Sequence, residues 1–166
     1  RNLLIVLEEI GMFNLLKQVY MNTRDNLQDG DRKIGMLWMM GTGGDMDGGT
    51  LDAADMFYNP AAYDIFDTPD EWEGRGKIGF FIPAYMSMNR YKDKRTGITD
   101  VEKAKNYWLS ERNKTRTNSK GSQELHKLIQ YRPLVPSEMF LAKSSNLFPA
   151  IELTRRLQEV RDHKLY

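Results

Sequence analysis

An α/β fold built on a parallel sheet is what the sequence predicts, on three observations. The run Leu3-Leu4-Ile5-Val6-Leu7 is continuously apolar and ends in charge at Glu8-Glu9, as a strand buried on both faces would. A helical period and a second apolar run, Lys33 to Met40, follow within about 40 residues, the length of a strand–helix–strand unit whose right-handed crossover makes its strands parallel. A glycine-rich loop at residues 41–49 (GTGGDMDGG) then leaves the second strand at its carboxyl end, where open α/β sheets place their ligands.

Each element has its own signal. A central strand such as Leu3–Leu7 needs neighbours on both sides, so the chain is expected to be part of a longer polypeptide. Met12 to about Asn26 places Phe13, Leu16, Val19 and Tyr20 at helical spacing, and Gln28-Asp29-Gly30-Asp31 is a turn. Met36, Trp38 and Met40 are expected in the core of the second strand. A short helix is predicted over Leu51–Tyr58, another helical turn around Ala62 to Phe66, and a turn starting at Thr68-Pro69-Asp70-Glu71. Gly76 to Ile82 is a third strand candidate, stopped by Pro83. Thr99 or Asp100 can cap a helix running to about Thr117, with Ala104, Tyr107, Trp108 and Glu111 along one side. Gln123 to Tyr131 resumes the helical pattern, Ser137 starts a short helix carrying Met139, Phe140 and Leu141, and a last helix is predicted from about Ala150 to Asp162.

Composition narrows the function classes. The 166 residues suit one domain or a piece of a larger one, and 40% hydrophobic with 28% charged residues is a globular balance. Cysteine is absent, which removes disulfides, thiolate zinc sites and cysteine nucleophiles. Only His126 and His163 offer imidazole, too few for a histidine-rich metal site, and His126 is expected to be a helix residue without a ligand role. No apolar run approaches the roughly 20 residues a membrane helix needs, so no membrane partner is expected. Charge is uneven: from Asp45 to Arg75 there are nine carboxylates against one arginine, a local charge of −8. From Arg90 to Lys120 there are ten Lys and Arg against four acids, a local charge of +6. A basic face of this kind would meet a polyanion or a neighbouring subunit; a solvated surface is the other reading. Lys92, Lys94 and Arg95 would touch nucleic-acid phosphates rather than bases, since no aromatic residues interleave with them.

The adjacent acids Glu8-Glu9 at the end of an apolar strand have a specific use in a nucleotide hydrolase. The first orients a magnesium ion and its water, and the second, offset by the pleat, reaches the water that attacks the γ-phosphate. A strand running into solvent would look the same. The loop fails three motif tests. Gly43 to Thr50 lacks the lysine of a phosphate-binding P-loop, and Asp45 and Asp47 would repel phosphate. Met56 stands where a calcium loop needs its bidentate Glu, and Met46 where a dinucleotide fingerprint needs its last glycine. What remains is a glycine hinge at a strand end with Thr42 as the hydroxyl near its start. It would either sense a γ-phosphate or simply connect.

Taken in order, LLIVLEE-IG, KIGMLWMMGTGG-DMDGGT, FYNPAAYDIF, GFFIPAYM, YRPLVPSEMFL and NLFP resemble the large terminase subunit of tailed bacteriophages, along nearly the whole chain. The resemblance implies the later strands of a P-loop NTPase-type parallel sheet over residues 1–131. Residues 132–166 would be a helical C-terminal extension leading toward a nuclease domain that is not present. It implies an ATP hydrolase that drives double-stranded DNA into a procapsid, working in the host cell cytoplasm as a homo-oligomeric ring with the portal protein and the small terminase subunit. Leu3 through Glu9 would be the Walker B element, with Glu8 the Mg2+-associated carboxylate and Glu9 the catalytic base toward ATP. The family more often has Asp at the first position, which makes Glu8 a departure. Gly41-Thr42-Gly43 would be the motif that couples hydrolysis to movement; Arg112 on the basic helix would either serve a neighbouring subunit's phosphate in the ring or be a plain helix-surface arginine, the reading favoured by a surface cation's low worth. The family's P-loop lies ahead of Walker B, and no set of nuclease aspartates follows Phe148, so the chain alone is expected neither to bind ATP tightly nor to cut DNA. Two rivals stand beside this: a non-catalytic interaction module in a nucleic-acid assembly, and a helicase-like ATPase.

Overall fold

The computed structural model describes residues 4–43, 49–118 and 122–141, so the helix expected near 150–162 and the loop residues Asp45 and Asp47 lie outside it. Strand β1 (Leu4–Leu7) pairs in parallel with β4 (Met36–Met39), in the register Leu4↔Met36 to Leu7↔Met39, and helix α1 (Leu16–Asp25) lies between them in sequence. The strand–helix–strand unit read from the sequence is therefore formed. Its helix starts later than Met12, because Ile10–Met12 forms a separate 3-10 turn. The second strand is interrupted too: β2 (Gln28–Asp29) and β3 (Arg32–Lys33) form a small hairpin around Gly30, whose φ of 65° glycine adopts without a Cβ penalty.

Helix α2 (Gly49–Tyr58), a 3-10 turn at Pro60–Tyr63, and the antiparallel pair β5 (Thr68–Pro69) and β6 (Lys77–Ile78) follow. Helix α3 (Val101–Asn118) and helix α4 (Ser122–Tyr131) precede a 3-10 turn at Pro136–Phe140. Asp100 caps α3 as predicted, accepting the Lys103 N–H at 3.1 Å, whereas the Thr99 hydroxyl donates to the Met86 carbonyl instead. The chain is thus a mixed α/β fold with four α-helices and one two-stranded parallel sheet among the described residues.

Two expectations fail. The third strand, Gly76–Ile82, shrinks to Lys77–Ile78 and joins an antiparallel hairpin rather than the parallel sheet. Gly79 turns away to donate its N–H to the Phe57 carbonyl at 2.7 Å, and Phe81 is buried edge-on against Trp72. The parallel sheet is also bare on one face. Leu4, Val6, Met36, Trp38 and Met40 are all exposed, Trp38 by 53%, where burial was expected for Met36, Trp38 and Met40. The alternate residues Leu37 and Met39 pack against the core of Leu16, Tyr20, Ala53 and Met56. The apolar run was legible; which of its faces is covered depends on the elements that pack against it.

A second core holds Tyr85, Ala104 and Leu134, with Trp108 and Tyr91 against it. Residues 132–141 run between the two cores, giving Leu134 to the second and Phe140 to the first. None of the helices among the described residues is long and apolar enough to cross a membrane.

The α1–α2 contact carries a polar knot. Lys17 Nζ lies 2.7 Å from Asp55, which also accepts the Tyr63 hydroxyl and Asn59 Nδ2–H at 2.8 Å. Chiefly the hydrogen bond from Lys17, then that from Tyr63, brings the Asp55 carboxyl from its ordinary 3.8 down to about 2. A carboxyl held lower in the folded than in the unfolded state stabilises the fold above its unfolded value and loses that contribution as pH falls through the folded one. Lys17→Met is therefore expected to flatten the acid limb of stability between about pH 4 and 2. Urea midpoints measured across that window check it. The effect is small because the pair is half exposed.

Candidate functional site at the strand tips

The two segments singled out for nucleotide chemistry lie at one end of the parallel pair. Beyond β1 and β4 the backbones stay joined: the Met40 N–H donates to the Leu7 carbonyl at 2.9 Å, and the Ile10 N–H to the Met40 carbonyl at 3.2 Å. Glu8 and Glu9 therefore emerge beside Gly41-Thr42-Gly43, at the carboxyl ends of both strands. Gly41 rests directly on this turn; a Cβ there would stand 3.0 Å from the Ile10 nitrogen and 3.4 Å from the Glu9 Cα. The Thr42 carbonyl lies against Gly11.

Glu8, Glu9 and Thr42 are all exposed to solvent. Glu9 sits at φ 52°, ψ 48°, left-handed backbone that a residue with a Cβ adopts at a cost of about 1–2 kcal/mol. It accepts the Met12 N–H on its carbonyl at 2.8 Å, which locks the turn, and its side chain makes no capping bond. Strain of this sort at a strand end persists where the surroundings over-determine it.

Among the described residues no group of three or more His, Asp or Glu side chains converges as a ready metal site. A single strand-end carboxylate such as Glu8 nevertheless fits magnesium, which keeps several waters and takes phosphate oxygens beside one or two carboxylates.

Close packing explains Gly43 and Gly49. A Cβ on Gly43 would stand 2.2 Å from the Met139 carbonyl oxygen, and one on Gly49 would stand 2.0 Å from that of Phe13. Both neighbours are backbone and cannot swing aside. Gly49→Ala is expected to destabilise the chain by about 2–3 kcal/mol, because overpacking outweighs the gain of at most about 1 kcal/mol in helix propensity. Urea unfolding of the variant measures this, and a stabilised variant would contradict the packing. The contact of Gly43 with Met139 links residues 96 apart in sequence, and the glycine is its only trace there.

The basic segment forms a rigid turn. Asp93 accepts the N–H groups of Arg95 at 3.0 Å and Thr96 at 2.7 Å, Gly97 takes φ 72°, and Lys92 bridges to Thr99. Lys94 and Arg95 are exposed at its tip, and Lys92 is partly exposed at its base. This turn is part of the α3 region, and nothing places it at the strand tips.

Arg112, read from the sequence as a cation on the helix surface, is buried within this chain. It is 8% exposed, and its two terminal nitrogens donate to Glu138 Oε1 and Oε2, both at 2.7 Å, with a further bond to the Arg132 carbonyl at 3.0 Å. Glu138 also accepts the Leu134 N–H at 2.6 Å. Its guanidinium is thereby committed inside the fold. His126 is partly buried on α4. Compared with known proteins, the chain matches no family model, no curated protein and no solved structure.

Proposed function

We propose that the chain forms the later half of a nucleotide-hydrolysing site, in the DNA-packaging ATPase of a tailed bacteriophage. One observation carries this reading: the acid pair Glu8-Glu9 and the Gly41-Thr42-Gly43 loop share the carboxyl tip of two hydrogen-bonded parallel strands, with Glu9 in strained left-handed backbone. Ligands of open α/β sheets bind at such tips. The bare face of the same two strands supports it as well. Parallel sheets are stable when covered on both sides, so the exposed Leu4, Val6, Met36 and Trp38 suit a surface completed by further polypeptide, which would carry the phosphate-binding loop.

In that site Glu9 would take the proton of the water that attacks the γ-phosphate, in line with the leaving oxygen. Glu8 would hold Mg2+ with ATP, where the ion spreads the phosphate charge. The Thr42 hydroxyl would hydrogen-bond the γ-phosphate or the lytic water and lose that partner when phosphate leaves. The partners would be double-stranded DNA, through backbone phosphates at Lys92, Lys94 and Arg95, together with a portal protein, a small terminase subunit and further copies in a ring. The working place would be the host cell cytoplasm, on the procapsid.

Glu9→Gln in the intact protein, with its site complete, tests the reading. Nucleotide binding is expected to persist while turnover is lost. Near-normal hydrolysis would reject the assignment of Glu9 as the base.

A further inference from the structure

We infer that residues 132–141 are a strap that sets the position of the Gly41–Gly43 loop, and that Glu138 and Arg112 are its positioning residues. The inference rests on the reading of Thr42 as the phosphate-sensing hydroxyl, since it names what holds that hydroxyl in place.

The strap is pinned along its length. Near its start the Ala84 N–H donates to the Pro133 carbonyl at 2.8 Å, and Leu134 is buried in the second core. In its middle Glu138 is gripped by both arms of Arg112, and the Ser137 N–H donates to Glu73 at 3.1 Å. At its end Phe140 packs against Phe57 and Tyr58, and Gln130 Nε2–H donates to the Leu141 carbonyl at 2.6 Å.

Between these anchors lies Met139, whose carbonyl oxygen, Cα and carbonyl carbon would all stand within 2.8 Å of a Cβ on Gly43. Gly43 is buried there, and nothing flexible separates the two backbones. A packed contact without slack transmits displacement rather than absorbing it. The loop carrying Thr42 therefore takes its position from the strap, and the strap takes its own from α3 through Arg112.

The same route runs outward. The start of α3 is joined to the basic turn, since the Asp100 N–H donates to the Tyr91 carbonyl at 2.8 Å and Lys92 bridges to Thr99. A shift of Gly43 when phosphate leaves would move Met139, then Glu138 with Arg112, and so helix α3 and the turn joined to its start, which carries Lys92, Lys94 and Arg95. A bidentate arginine–carboxylate pair suits this, because two parallel bonds fix angle as well as distance.

Amide hydrogen exchange of the full chain tests the strap without nucleotide. In Glu138→Gln, the amides of Met40 and Ile10, whose hydrogen bonds tie the base of the loop to the strand tip, are expected to exchange about tenfold faster relative to those of Ile5–Leu7 in β1. Acceleration confined to residues 132–141 would overturn the inference. Uniform acceleration of all slow amides, the mark of a merely structural role, would overturn it too. Should Glu138→Gln fail to fold, Arg112→Lys retains the charge but gives up the fork, and the same pattern is expected at smaller size. Once the site is completed, Glu138→Gln is expected to lower kcat with KM for ATP unchanged. Because exchange needs no hydrolysis, near-normal turnover in Glu9→Gln would sink the reading of Glu9 as the base and leave the strap standing, whereas unmoved amides at Met40 and Ile10 would do the reverse.

Discussion

Glu9→Gln is expected to lower ATP turnover by about a thousandfold or more once the site is complete, with nucleotide affinity changed by less than about threefold. General-base catalysis contributes about 10²–10⁴ in rate, and glutamine keeps the shape of glutamate while losing the basic oxygen pair. Binding is spared because nucleotide affinity in such sites resides in the phosphate-binding backbone and lysine, which this chain does not supply. Glutamine also retains the left-handed turn at φ 52°, so the strand tip keeps its form. Glu8→Gln should behave differently, weakening the response to magnesium concentration as well as turnover. Single-turnover hydrolysis alongside equilibrium nucleotide binding separates the two acids. Equal effects of both variants on binding alone would contradict the division of roles.

Arg112→Ala is expected to cost about 3–5 kcal/mol of folding stability, the usual penalty for breaking a buried ion pair from one side. The side chains of Arg112 and Glu138 are only 10% and 20% exposed, so neither is strongly screened by solvent. Without the guanidinium, Glu138 keeps the Leu134 N–H alone, and the Arg132 carbonyl loses a donor. The Arg112 Nε is buried without a partner, which lowers the net worth of the pair but not the cost of leaving Glu138 behind. For a chain of this size the loss corresponds to a fall of about 10 °C in Tm. Arg112→Met combined with Glu138→Leu should recover much of it, because the charge that would be stranded is gone. A cost below about 1 kcal/mol for the single variant would show that the pair is not desolvated in solution.

The Gly43–Met139 contact and the Arg112–Glu138 pair together give the two halves of the molecule one mechanical link. In the sequence they sit apart, in a glycine loop, a basic helix and a proline-punctuated segment, and each reads there as an ordinary feature. Arg112 is the clearest case. Its setting in a basic run suggested a surface cation, while its burial comes from Glu138, 26 residues away, folding back over α3.

Local rules were enough for the parallel pair, two of the turns and one helix cap. The apolar runs and the intervening helical period dictate a parallel pair, since a crossover of that length returns the chain in the same direction. Gly30, Asp93 and Asp100 dictate a hairpin turn, a basic turn and a helix cap through bonds to residues close by in the chain. The carboxyl ends of both strands carry Glu9 and Thr42 by the same logic, because parallel strands point the same way. Tertiary structure alone decided that Met36 and Trp38 face outward, that Gly76–Ile82 leaves the sheet, and that Arg112 is buried. Period and capping report only on neighbours a few residues away, whereas burial is set by whichever distant element supplies the opposite wall.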